Sequence, residues 1–561
     1  MAVTNNSAVN SEVDVLVIGS GTGMAAALAA HEQGLKVLVV EKTEYVGGST
    51  ALSGGGVWVP ANPVLTAAGS TDTIEQGLTY AESVVADSAP KPRWTSAIEH
   101  GPAAIAMLQR TTPLNFMWSR GYSDYHPENP GGHAIGRTIE ANPFDASVLG
   151  DQRRFLRPTG LSAPVPMPIT SVDYRWMNLF ARMPMQGVPR IARRVLQGIG
   201  GKVVGREYMA GGQALAAGMF AGVVRAGIPV WTEAGLEELI VDGGRVTGAV
   251  IRQRGETVTV SARKGVILAT GGFDHDLAWR HKYQSARLGE WSLGNPGNTG
   301  DGIKAATTAG ASTALMDQAW WFPAVAPLPG SAPIVLLAER SLPGSFIVNQ
   351  TGARFINEST DYMSFGQHLL AAERGGDPIE KMWIVFDQEY RDSYVFAAGL
   401  FPRMPIPQEW YDAGIAFTGN SPEELATAMG VPAETFRGTL ARFNRMAGAG
   451  IDSQFGRGDS AYDRYYGDPT VSPNPNLRPL RGKPLYAVEI VLSDLGTCGG
   501  ITADERGRAL TPGGEIIEGL YAIGNAAANA YGATYPGAGA TIGQGITLGY
   551  VAARDAAGLL G

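Results

Sequence analysis

The sequence predicts an α/β protein in which a parallel sheet covered by helices is interrupted by an inserted α+β unit. Three observations lead to this prediction. The aliphatic run 13–18 ends in a glycine-rich turn, and an alanine-rich helical segment and a second aliphatic run ending at Glu41 follow it. The same succession of strand and glycine turn returns at 264–272 and at 519–525. Between these repeats, residues 321–490 are dominated by aromatics, prolines and charged helical segments.

The length of the chain favours two domains, because 561 residues are many for a single hydrophobic core. We predict that residues 1–320 form the first part of a nucleotide-binding domain, with an insertion at 150–205. Residues 491–561 form its second part. Residues 321–490 form the inserted substrate domain.

The first strand and its glycine turn predict an adenine dinucleotide site. Gly19 permits a sharp exit from the strand, Gly21 lets the backbone approach a pyrophosphate, and the following helix directs its free N–H groups at the phosphates. Glu41 ends the second strand, where a carboxylate can accept the ribose hydroxyls. Met24 stands where the fingerprint has its third glycine, although Gly23 keeps the turn slim. The alternative is a glycine-rich turn of another α/β protein.

The loop after Glu41 favours FAD over NAD. Five glycines lie between positions 47 and 56, more than an ordinary connection from strand to helix needs. Such a loop can run close beside a large flat ligand, with Ser49, Thr50 and Ser53 offering hydroxyl and N–H groups.

Two further segments are predicted to lie along the cofactor. A buried strand ends at Thr270 and a glycine pair, and Asp301 opens a helix after another glycine turn. Asn525 follows the strand at 519–523. Asp301 and Asn525 are also suited to capping helices, so both interpretations stay open.

Composition excludes several classes of function. The net charge is −8 and only 17% of residues are charged, which disfavours nucleic acid as a partner. Cys498 is the only cysteine, so no disulfide within the chain and no thiolate metal site is expected. The seven histidines lack ligand spacing, and we expect no metal. The polar segment 1–12 has no apolar core typical of a signal peptide, and a reducing compartment, the cytoplasm, is expected.

The segment 150–205 has an unusual pattern. From 176 to 197, apolar side chains alternate with arginines and no acidic residue is present. Such a segment can lie in a bilayer interface, which would associate the protein peripherally with the inner face of the membrane, or it can be an insertion packed on the protein. No run is long enough to span a bilayer. Pro184 and Pro189 are expected to break the helix.

A family resemblance rests on eight motifs. They are EKTEYVGGSTALSGGGVWVP from 41, GYSDYHPE from 121, NTGDGI from 298, DQAWWFP from 317, FINESTDYMSFG from 355, LSDLGTCGG from 492, GLYAIGN from 519 and TYPGAGATIG from 534. With these motifs the chain resembles 3-ketosteroid dehydrogenases of the Δ1 type nearly end to end. This family lies within the flavoprotein group that includes fumarate reductases. The resemblance implies a Rossmann-like FAD-binding domain of the fumarate reductase type, FAD as cofactor and a 3-ketosteroid as substrate.

The resemblance also implies the roles of four residues. Tyr362 would remove a proton from carbon 2 of the steroid, and Tyr125 would hydrogen-bond to it and ease its ionisation. The Tyr535 hydroxyl and the Gly539 N–H would hold the carbon 3 carbonyl oxygen while a hydride leaves carbon 1 for the flavin. The sequence has no motif for a second redox group, so the electrons would go to an external acceptor such as a quinone.

The predicted cofactor contacts combine the glycine turns with the matched motifs. They are Gly19, Gly21, Gly23, Met24, Glu41, Lys42, Gly48, Ser49, Thr50, Ser53, Gly54, Gly55, Thr270, Gly271, Gly272, Asp301, Gly524, Asn525, Gly539, Thr541 and Ile542.

Two positions depart from the family pattern, which has a second aromatic at His126 and a proline at Asp361. His126 can tune the tyrosine pair or cap a loop, and Asp361 is expected to oppose ionisation of Tyr362. Three alternative functions stay open: a Δ4-dehydrogenase of saturated 3-ketosteroids, a fumarate reductase-like flavoenzyme and a flavin-binding protein without turnover. The arginine-poor loop motifs argue against a dicarboxylate substrate.

Overall fold

The computed structural model describes residue 3, residues 10–159 and residues 166–560. Most of the predicted polar segment 1–12 and residues 160–165 of the predicted insertion lie outside the described residues.

Most strands belong to two large sheets. In chain order the strands are β1 Asn10–Ile18, β2 Val37–Val40, β3 Gly56–Trp58, β4 Phe116–Trp118, β5 Thr138–Ala141, β6 Phe144–Asp145, β7 Tyr208–Met209, β8 Val230–Trp231, β9 Ala234–Asp242, β10 Arg245–Gln253, β11 Glu256–Leu268, β12 Thr313–Ala314, β13 Ala319–Val325, β14 Ile334–Val335, β15 Ser345–Asn349, β16 Met382–Asp387, β17 Ala416–Gly419, β18 Leu485–Thr497, β19 Gly500–Ile501, β20 Arg508–Leu510 and β21 Ile516–Ala522.

The helices cover both sheets. They are α1 Gly23–Glu32, α2 Gly48–Leu52, α3 Pro63–Ala67, α4 Ile74–Val85, α5 Lys91–Glu99, α6 Gly101–Thr111, α7 Ser171–Asn178, α8 Pro184–Val203, α9 Gly211–Arg225, α10 Leu277–Tyr283, α11 Asp301–Thr308, α12 Tyr362–Arg374, α13 Gln388–Ser393, α14 Gln408–Asp412, α15 Pro422–Met429, α16 Ala433–Ala449, α17 Ala461–Tyr465 and α18 Ala540–Ala556. Two 3-10 segments span Ala146–Phe155 and Gly524–Ala526.

The first sheet brings four loops to one edge. Its strands lie in the order β20, β21, β11, β1, β2 and β8, and β10 and β9 extend it from β11. Within this order β21, β11, β1, β2 and β8 pair in parallel. Ile18 lies opposite both Val40 and Leu268, and Leu268 lies opposite Ala522. The loops that follow these four residues therefore leave the sheet side by side at its carboxyl edge, where such sheets bind ligands.

The last helix completes this unit from the far end of the chain. α18 is almost entirely buried and packs against α1, with Gly549 close to Ala26. A side chain on Gly549 would lie 3.2 Å from the Ala26 methyl group. The first sheet therefore combines strands from both ends of the chain, since β21 lies beside β11. This arrangement agrees with the predicted α/β fold and its insertion.

The second sheet is antiparallel and lies between these halves. Its strands follow the order β14, β13, β18, β16 and β15, with β17 beside β18. The predicted domain limits at 320/321 and 490/491 fall within β13 and β18. The division of the chain into domains stays a prediction.

The two prolines expected to break the helix behave differently. The helical segment is interrupted at 179–183, between α7 and α8, just before Pro184. The expectation that Pro189 breaks the helix is wrong, because α8 runs through Pro189 to Val203. Pro184 is the first residue of α8, where an N–H has no partner within the helix. Pro189 removes one further helical bond, and its ring lies on the exposed side of the helix. Between α5 and α6 the chain turns at His100.

A buried arginine holds the loop between β4 and β5. The Arg137 guanidinium, which is fully buried, pairs with the carboxylates of Asp72 and Asp124 and donates to the Gly131 carbonyl oxygen. Trp58 donates from Nε1 to the other oxygen of Asp124 over 2.8 Å. Burial raises the pKa of Asp124 to about 6, although Arg137 opposes this shift. This ion pair fixes the backbone just before Tyr125.

We expect Arg137→Met to lower the free energy of unfolding by about 3–5 kcal/mol, because it leaves two buried carboxylates without a cation. The loss is expected to be larger at pH 8 than at pH 5. A carboxyl whose pKa is raised by folding contributes stability at low pH and loses it as the pH rises through the folded value. Chemical denaturation at both pH values measures the difference.

Arg120→Met is the matched control, since Arg120 is exposed and only lies over the Trp118 ring. It is expected to cost about 1 kcal/mol or less. An Arg137→Met protein within 1 kcal/mol of the parent at pH 8 would contradict this account.

Candidate active site

Three tyrosines from distant parts of the chain form one buried cluster. Tyr125 lies in the loop between β4 and β5, Tyr362 is the first residue of α12, and Tyr535 precedes α18. Their exposed fractions are 4%, 5% and 6%. The ring centroids are 5.4 Å apart for Tyr125 and Tyr362, 5.1 Å for Tyr125 and Tyr535, and 5.4 Å for Tyr362 and Tyr535. The Tyr125 hydroxyl donates to the Tyr362 hydroxyl over 2.9 Å.

The start of α12 positions Tyr362 in a field that favours its anionic form. Asp361 caps the helix, and its carboxylate accepts from the Ser364 N–H over 2.9 Å. Since Tyr362 occupies the first turn, it lies at the positive end of the helix dipole. The Asp361 carboxylate is therefore engaged as a cap, and its other oxygen lies 3.9 Å from His126 Nε2.

Hydrogen bonds tie the loop of Tyr125 to the loop of Tyr535. The Tyr125 N–H donates to the Pro536 carbonyl oxygen over 3.0 Å, and the Tyr80 hydroxyl donates to the same oxygen over 2.7 Å. The His126 N–H in turn donates to the Tyr80 hydroxyl over 3.1 Å. The relative positions of Tyr125 and Tyr535 are thus set by backbone contacts rather than by their own side chains.

Burial works against ionisation of the tyrosine pair. It raises the pKa of Tyr362 and of Tyr125 well above the usual value near 10. The hydrogen bond from Tyr125 acts in the opposite direction on the pKa of Tyr362, but it is the smaller effect. Both phenols are therefore neutral at neutral pH.

Two hydrogen-bond donors meet beside this pair. The Gly539 N–H donates to the Tyr535 hydroxyl over 3.2 Å, and the Thr541 hydroxyl donates to it over 3.1 Å. A ketone oxygen that accepts from both Tyr535 and Gly539 would replace the bond between them. Gly539 has a φ of +92°, and a Cβ there would lie 2.2 Å from the carbonyl carbon of Gly56. Only glycine fits this position.

The carboxyl edge of the first sheet has the geometry of the predicted nucleotide site. Gly19 has a φ of +105°, and a Cβ there would lie 2.2 Å from the Ala269 carbonyl oxygen. Gly21 and Gly48 face each other across the two loops, and a Cβ on Gly48 would lie 3.6 Å from Gly21 Cα. Gly23 begins α1 and packs against Val17, so α1 starts immediately after the turn. Met24 is fully buried, so its side chain fills the core beneath the turn.

Glu41 follows β2 directly, and its carboxylate accepts several hydrogen bonds. One oxygen accepts from the N–H and hydroxyl of Ser20 over 3.2 and 2.5 Å. The other accepts from the N–H and hydroxyl of Thr43 over 3.0 and 2.8 Å. The ribose hydroxyls of a bound nucleotide would have to replace some of these bonds.

Several predicted cofactor residues have protein partners. Lys42 pairs with Asp301 over 2.7 Å at the start of α11. The Ser49 hydroxyl accepts from the Asn298 amide over 3.0 Å, and the Ser53 hydroxyl donates to the Thr50 carbonyl oxygen over 2.7 Å. These side-chain contacts position the loop between β2 and β3. The backbone groups of the loop can still contact a ligand.

The remaining predicted residues line the same edge. Gly271 packs against Asn298, Gly272 against Thr497, Gly524 against Thr22 and Gly55 against Gly211. Gly54 lies in the loop before β3, and Ile542 lies in the first turn of α18. Asn525 accepts from Trp320 Nε1 over 3.1 Å, and the Trp320 ring lies 4.7 Å from that of Tyr535. The tyrosine cluster and the predicted cofactor edge are therefore contiguous.

The structure fits FAD. The Thr270 hydroxyl is buried at the carboxyl edge and has no hydrogen-bond partner within the described residues. The N-termini of α1 and α18, Glu41, and the glycine loop between β2 and β3 surround the same edge. Helix N-termini suit phosphates and a carboxylate suits ribose, so this donor set matches a dinucleotide.

Sequence reasoning missed a buried carboxyl pair behind this edge. The Asn298 amide joins the Ser49 hydroxyl to the Asp274 carboxylate at 3.2 Å, and Arg280 binds Asp494 over 2.7 Å beside them. Burial, with Asp494 nearby, raises the pKa of Asp274 to about 7. The motif LSDLGTCGG contained Asp494, but nothing in its spacing indicated Asp274 as its neighbour.

Sequence reasoning also missed a wider shell of phenols. The Tyr122 ring stacks on Tyr465 at 4.6 Å, Tyr466 lies at 5.5 Å from Tyr122, and Tyr462 lies at 4.7 Å from Tyr125. The run AYDRYY from 461 was the available signal.

Comparisons with known proteins agree with this geometry. A family model described as an FAD binding domain matches residues 14–542. A 3-oxosteroid 1-dehydrogenase of Mycolicibacterium smegmatis is 45% identical over 557 residues, which cover 97% of each chain. A 4-oxocyclohexanecarboxylate 2-dehydrogenase of Sinomonas cyclohexanicum is 37% identical over 563 residues, 98% of this chain and 93% of the relative.

A solved structure has the same fold over its whole length. It is the 3-ketosteroid delta1-dehydrogenase of Sterolibacterium denitrificans in complex with 1,4-androstadiene-3,17-dione, with a TM-score of 0.92 and 35% identity. The match covers 98% of this chain and 100% of that one. The predictions of an FAD cofactor and of a fumarate reductase-type α/β fold are confirmed. The chain belongs to the FAD-binding flavoproteins and, within them, to the 3-oxosteroid 1-dehydrogenase family.

Proposed function

We propose that the protein removes hydrogens from carbons 1 and 2 of 3-ketosteroids, converting 3-oxo-Δ4-steroids into 3-oxo-Δ1,4-steroids. The observation that carries this proposal is the hydrogen-bonded pair of Tyr125 and Tyr362 beside the two donors Tyr535 and Gly539. A base and a carbonyl clamp in one buried cluster suit removal of a proton next to a ketone. The names of the relatives support the same substrate class.

The carboxyl edge of the first sheet would hold the cofactor. The turn from Gly19 and the N-terminus of α1 would bind the pyrophosphate, Glu41 the ribose, and the loop 47–56 the flavin ring. The N-terminus of α18 would stabilise negative charge at the far edge of the ring. FAD, when bound there, supplies the acceptor for a hydride.

Tyr362 would take the proton from carbon 2 at its phenolic oxygen. The hydrogen bond from Tyr125 and the positive end of α12 both favour the phenolate, against the effect of burial. The cluster is buried, so water does not compete for the proton or for the clamp.

Tyr535 and Gly539 would stabilise the charge that grows on the carbon 3 oxygen. Removal of the carbon 2 proton makes this oxygen enolate-like, and two aimed donors in a dry site contribute about 3–4 kcal/mol each to such a transition state. Because Gly539 belongs to the cap of α18 and touches Gly56, its N–H is held in a fixed direction.

A smaller cyclic ketone with a carboxylate is the main alternative substrate, since one relative is named for 4-oxocyclohexanecarboxylate. A carboxylate substrate would need a free cation in the site. Arg340 is a buried cation near the phenols, but its guanidinium is bonded to the carbonyl oxygens of Leu336 and Glu358. Arg175 also lies in the phenol shell, 4.7 Å from the Tyr465 ring. The steroid is favoured by the higher identity of the relative named for it.

We expect anaerobic androst-4-ene-3,17-dione to bleach the flavin absorbance of the purified protein, because the steroid transfers a hydride to the bound cofactor. Stopped-flow absorbance follows the bleaching, and mass spectrometry with NMR of the product locates the new double bond. Succinate and 4-oxocyclohexanecarboxylate serve as comparison substrates.

Faster bleaching by 4-oxocyclohexanecarboxylate would assign the smaller ketone, and bleaching by succinate a fumarate reductase-like reaction. A saturated 3-ketosteroid that acquires a double bond between carbons 4 and 5 would identify a Δ4-dehydrogenase. No bleaching by any of them would leave a binding protein without turnover.

Tyr362→Phe is expected to slow flavin reduction by about 10²–10⁴-fold while steroid affinity changes little, because only the proton acceptor is lost. Single-turnover reduction and steroid titration measure the two effects separately. Tyr521→Phe is the matched control, since Tyr521 is a buried tyrosine on β21 whose hydroxyl donates to Asp555 of α18, away from the cluster. Reduction of the Tyr362→Phe protein at the parent rate would refute the role of Tyr362.

We also propose that α8 rests on a lipid surface. Its aliphatic side chains point outward, with exposed fractions of 82% for Met185, 73% for Leu196 and 82% for Val203. Val188 and Ile199 continue the same stripe at helical spacing. Within the helix Arg194 is instead buried and binds Asp173 over 2.6 Å. This reversal of the usual pattern leaves an apolar face without a covering element among the described residues.

The charges beside α8 favour a lipid surface over a protein partner. Arg193, Lys202 and Arg206 are exposed on or just after the helix, where they can meet anionic headgroups. No helix in the described ranges is long and apolar enough to cross a membrane. Contact through α8 alone would make the association peripheral and would bring the protein close to a lipid-soluble electron acceptor such as a quinone.

We expect the protein to float with liposomes that contain anionic phospholipid, and the double variant Leu196→Glu with Val203→Glu to stay in the soluble fraction. The variant is expected to keep the parent rate of flavin reduction, because both residues are exposed. Val241→Glu, at an exposed aliphatic residue of β9, is the matched control. A parent protein that never floats, or that instead forms a dimer lost in the double variant, would refute lipid contact.

A further inference from the structure

Two buried carboxyl groups share one guanidinium behind the predicted cofactor edge. Asp274 and Asp494 are 4% and 1% exposed. The Ser292 hydroxyl lies between them, 2.7 Å from the Asp494 carboxylate and 3.4 Å from that of Asp274. Arg280 donates to the Asp494 carboxylate over 2.7 Å, whereas it reaches Asp274 at the backbone oxygen, over 3.2 Å. Arg280 therefore compensates the charge of Asp494 and leaves that of Asp274 largely uncompensated.

The hydrogen bonds of the two carboxylates differ in the same direction. The Gly496 N–H donates to the Asp494 carboxylate over 2.8 Å, in addition to the guanidinium. The Asp274 carboxylate accepts from the Asn298 amide, which lies 3.2 Å from each of its oxygens. This amide is neutral and its bonds are longer, so it favours the anion less than a guanidinium does. Asp274 is thus the member of the pair that can change its charge.

The Asp274 carboxyl lies one side chain away from the proposed flavin position. The Asn298 amide that binds it also donates to the Ser49 hydroxyl over 3.0 Å. Ser49 belongs to the glycine loop between β2 and β3, which we propose holds the flavin ring. On the other side, a Cβ on Gly496 would lie 3.8 Å from Asp274 Oδ1 and 3.0 Å from the Asn525 amide nitrogen. A charge on the flavin would therefore act on Asp274 through the poorly screening interior.

The residue after Asp274 brings the carboxyl close to solvent. His275 Nε2 lies 3.9 Å from the Asp274 carboxylate and 3.2 Å from the Gly294 carbonyl oxygen, and the His275 side chain is 27% exposed. A proton can therefore reach the carboxyl from this side. Among the described residues, the titratable and charged groups that face Asp274 are Asp494 from β18, Arg280 from α10 and His275 from the turn before α10.

The surroundings of Asp274 already disfavour its anion. Burial and the neighbouring Asp494 raise its pKa to about 7, and the hydrogen bond from Asn298 opposes this shift less strongly. A further negative charge nearby raises the pKa of a carboxyl again. Hydride transfer adds one negative charge to a flavin, because it delivers two electrons with a single proton.

We propose that Asp274 is a redox-linked proton acceptor, which is ionised beside the oxidised cofactor above neutral pH and takes up a proton when the cofactor is reduced. The proton comes from solvent and forms an O–H bond with the Asp274 carboxylate, while both electrons of the hydride stay on the cofactor. The net charge of the site is then equal before and after reduction. This inference rests on the proposed position of the flavin and does not depend on the steroid as substrate.

Proton uptake at Asp274 gives the reduction potential a defined pH dependence. Below its pKa of about 7 the carboxyl is protonated before and after reduction, so it contributes nothing. Above this value the carboxylate disfavours the reduced cofactor, and each pH unit makes its protonation tenfold less favourable. For a two-electron couple, a tenfold change in the equilibrium constant corresponds to about 30 mV.

We expect the reduction potential of Asp274→Asn, which is neutral at every pH, to differ from the parent potential by a constant amount below pH 7. Above pH 7 it is expected to exceed the parent potential increasingly, by up to about 30 mV per pH unit. Reduction of the holoenzyme by xanthine and xanthine oxidase against reference dyes, between pH 6 and 9, measures both potentials without any steroid. A merely structural effect of the substitution would give the same difference at each pH.

Glu489→Gln is the matched control, because Glu489 is a half-buried carboxyl on β18 whose pKa burial also raises, and it lies opposite Trp383 in the second sheet. It is expected to keep the parent potential at each pH. His275→Gln removes the partly exposed titratable group beside Asp274 and is expected to follow the pH dependence of the parent.

A constant difference between Asp274→Asn and the parent from pH 6 to 9 would overturn the proposal. The same holds if His275→Gln, and not Asp274→Asn, departs from the parent above pH 7. If Asp274→Asn does not retain FAD, infrared difference spectra of the parent decide. Reduction at pH 8 is expected to produce the carbonyl band of a protonated carboxylic acid, and absence of this band would overturn the proposal. A parent protein that the steroid never reduces would refute the proposed function instead.

Discussion

The contact between Gly539 and Gly56 is the constraint on which the site depends. Two backbone segments from opposite ends of the chain meet there without side chains between them. The segment of Gly539 continues into α18 and carries Tyr535, whereas the segment of Gly56 ends the predicted flavin loop. The same contact therefore fixes the proposed carbonyl clamp relative to the predicted cofactor edge. Because α18 also packs on α1, the proposed phosphate-binding turn and the proposed clamp belong to one packed unit.

Around this contact the interior holds many polar groups whose loss of hydration is not fully offset by hydrogen bonds or charged partners. Tyr125, Tyr362 and Asp274 all have a raised pKa because burial disfavours their anions. In a purely structural core these groups would be a liability. Here they lie beside the proposed site of proton removal from carbon, where neutral groups with a high proton affinity are useful.

Much of the fold followed from local patterns, but its long-range contacts did not. The glycine turn at Gly19, the acid Glu41 and the strand ending at Thr270 could be predicted because each has a short signature. Pro189 was misread, since a proline near a helix start costs less than one in the middle. Tyr125, Tyr362 and Tyr535 were named through the motifs of the family resemblance, and their roles stay predictions. Asp274 could not be predicted, because only the fold brings it beside Asn298 and Asp494.

The outward-facing aliphatic stripe of α8 bears on how a sterol reaches the enzyme. Steroids partition strongly into hydrocarbon, so for a protein resting on lipid the effective substrate supply is a mole fraction in the bilayer rather than a molarity in water. An apparent Michaelis constant then changes with the amount of lipid present at constant total steroid. Adding detergent micelles would dilute the steroid within the hydrocarbon phase and lower the measured rate. The effect would look like inhibition, although no residue of the site had changed.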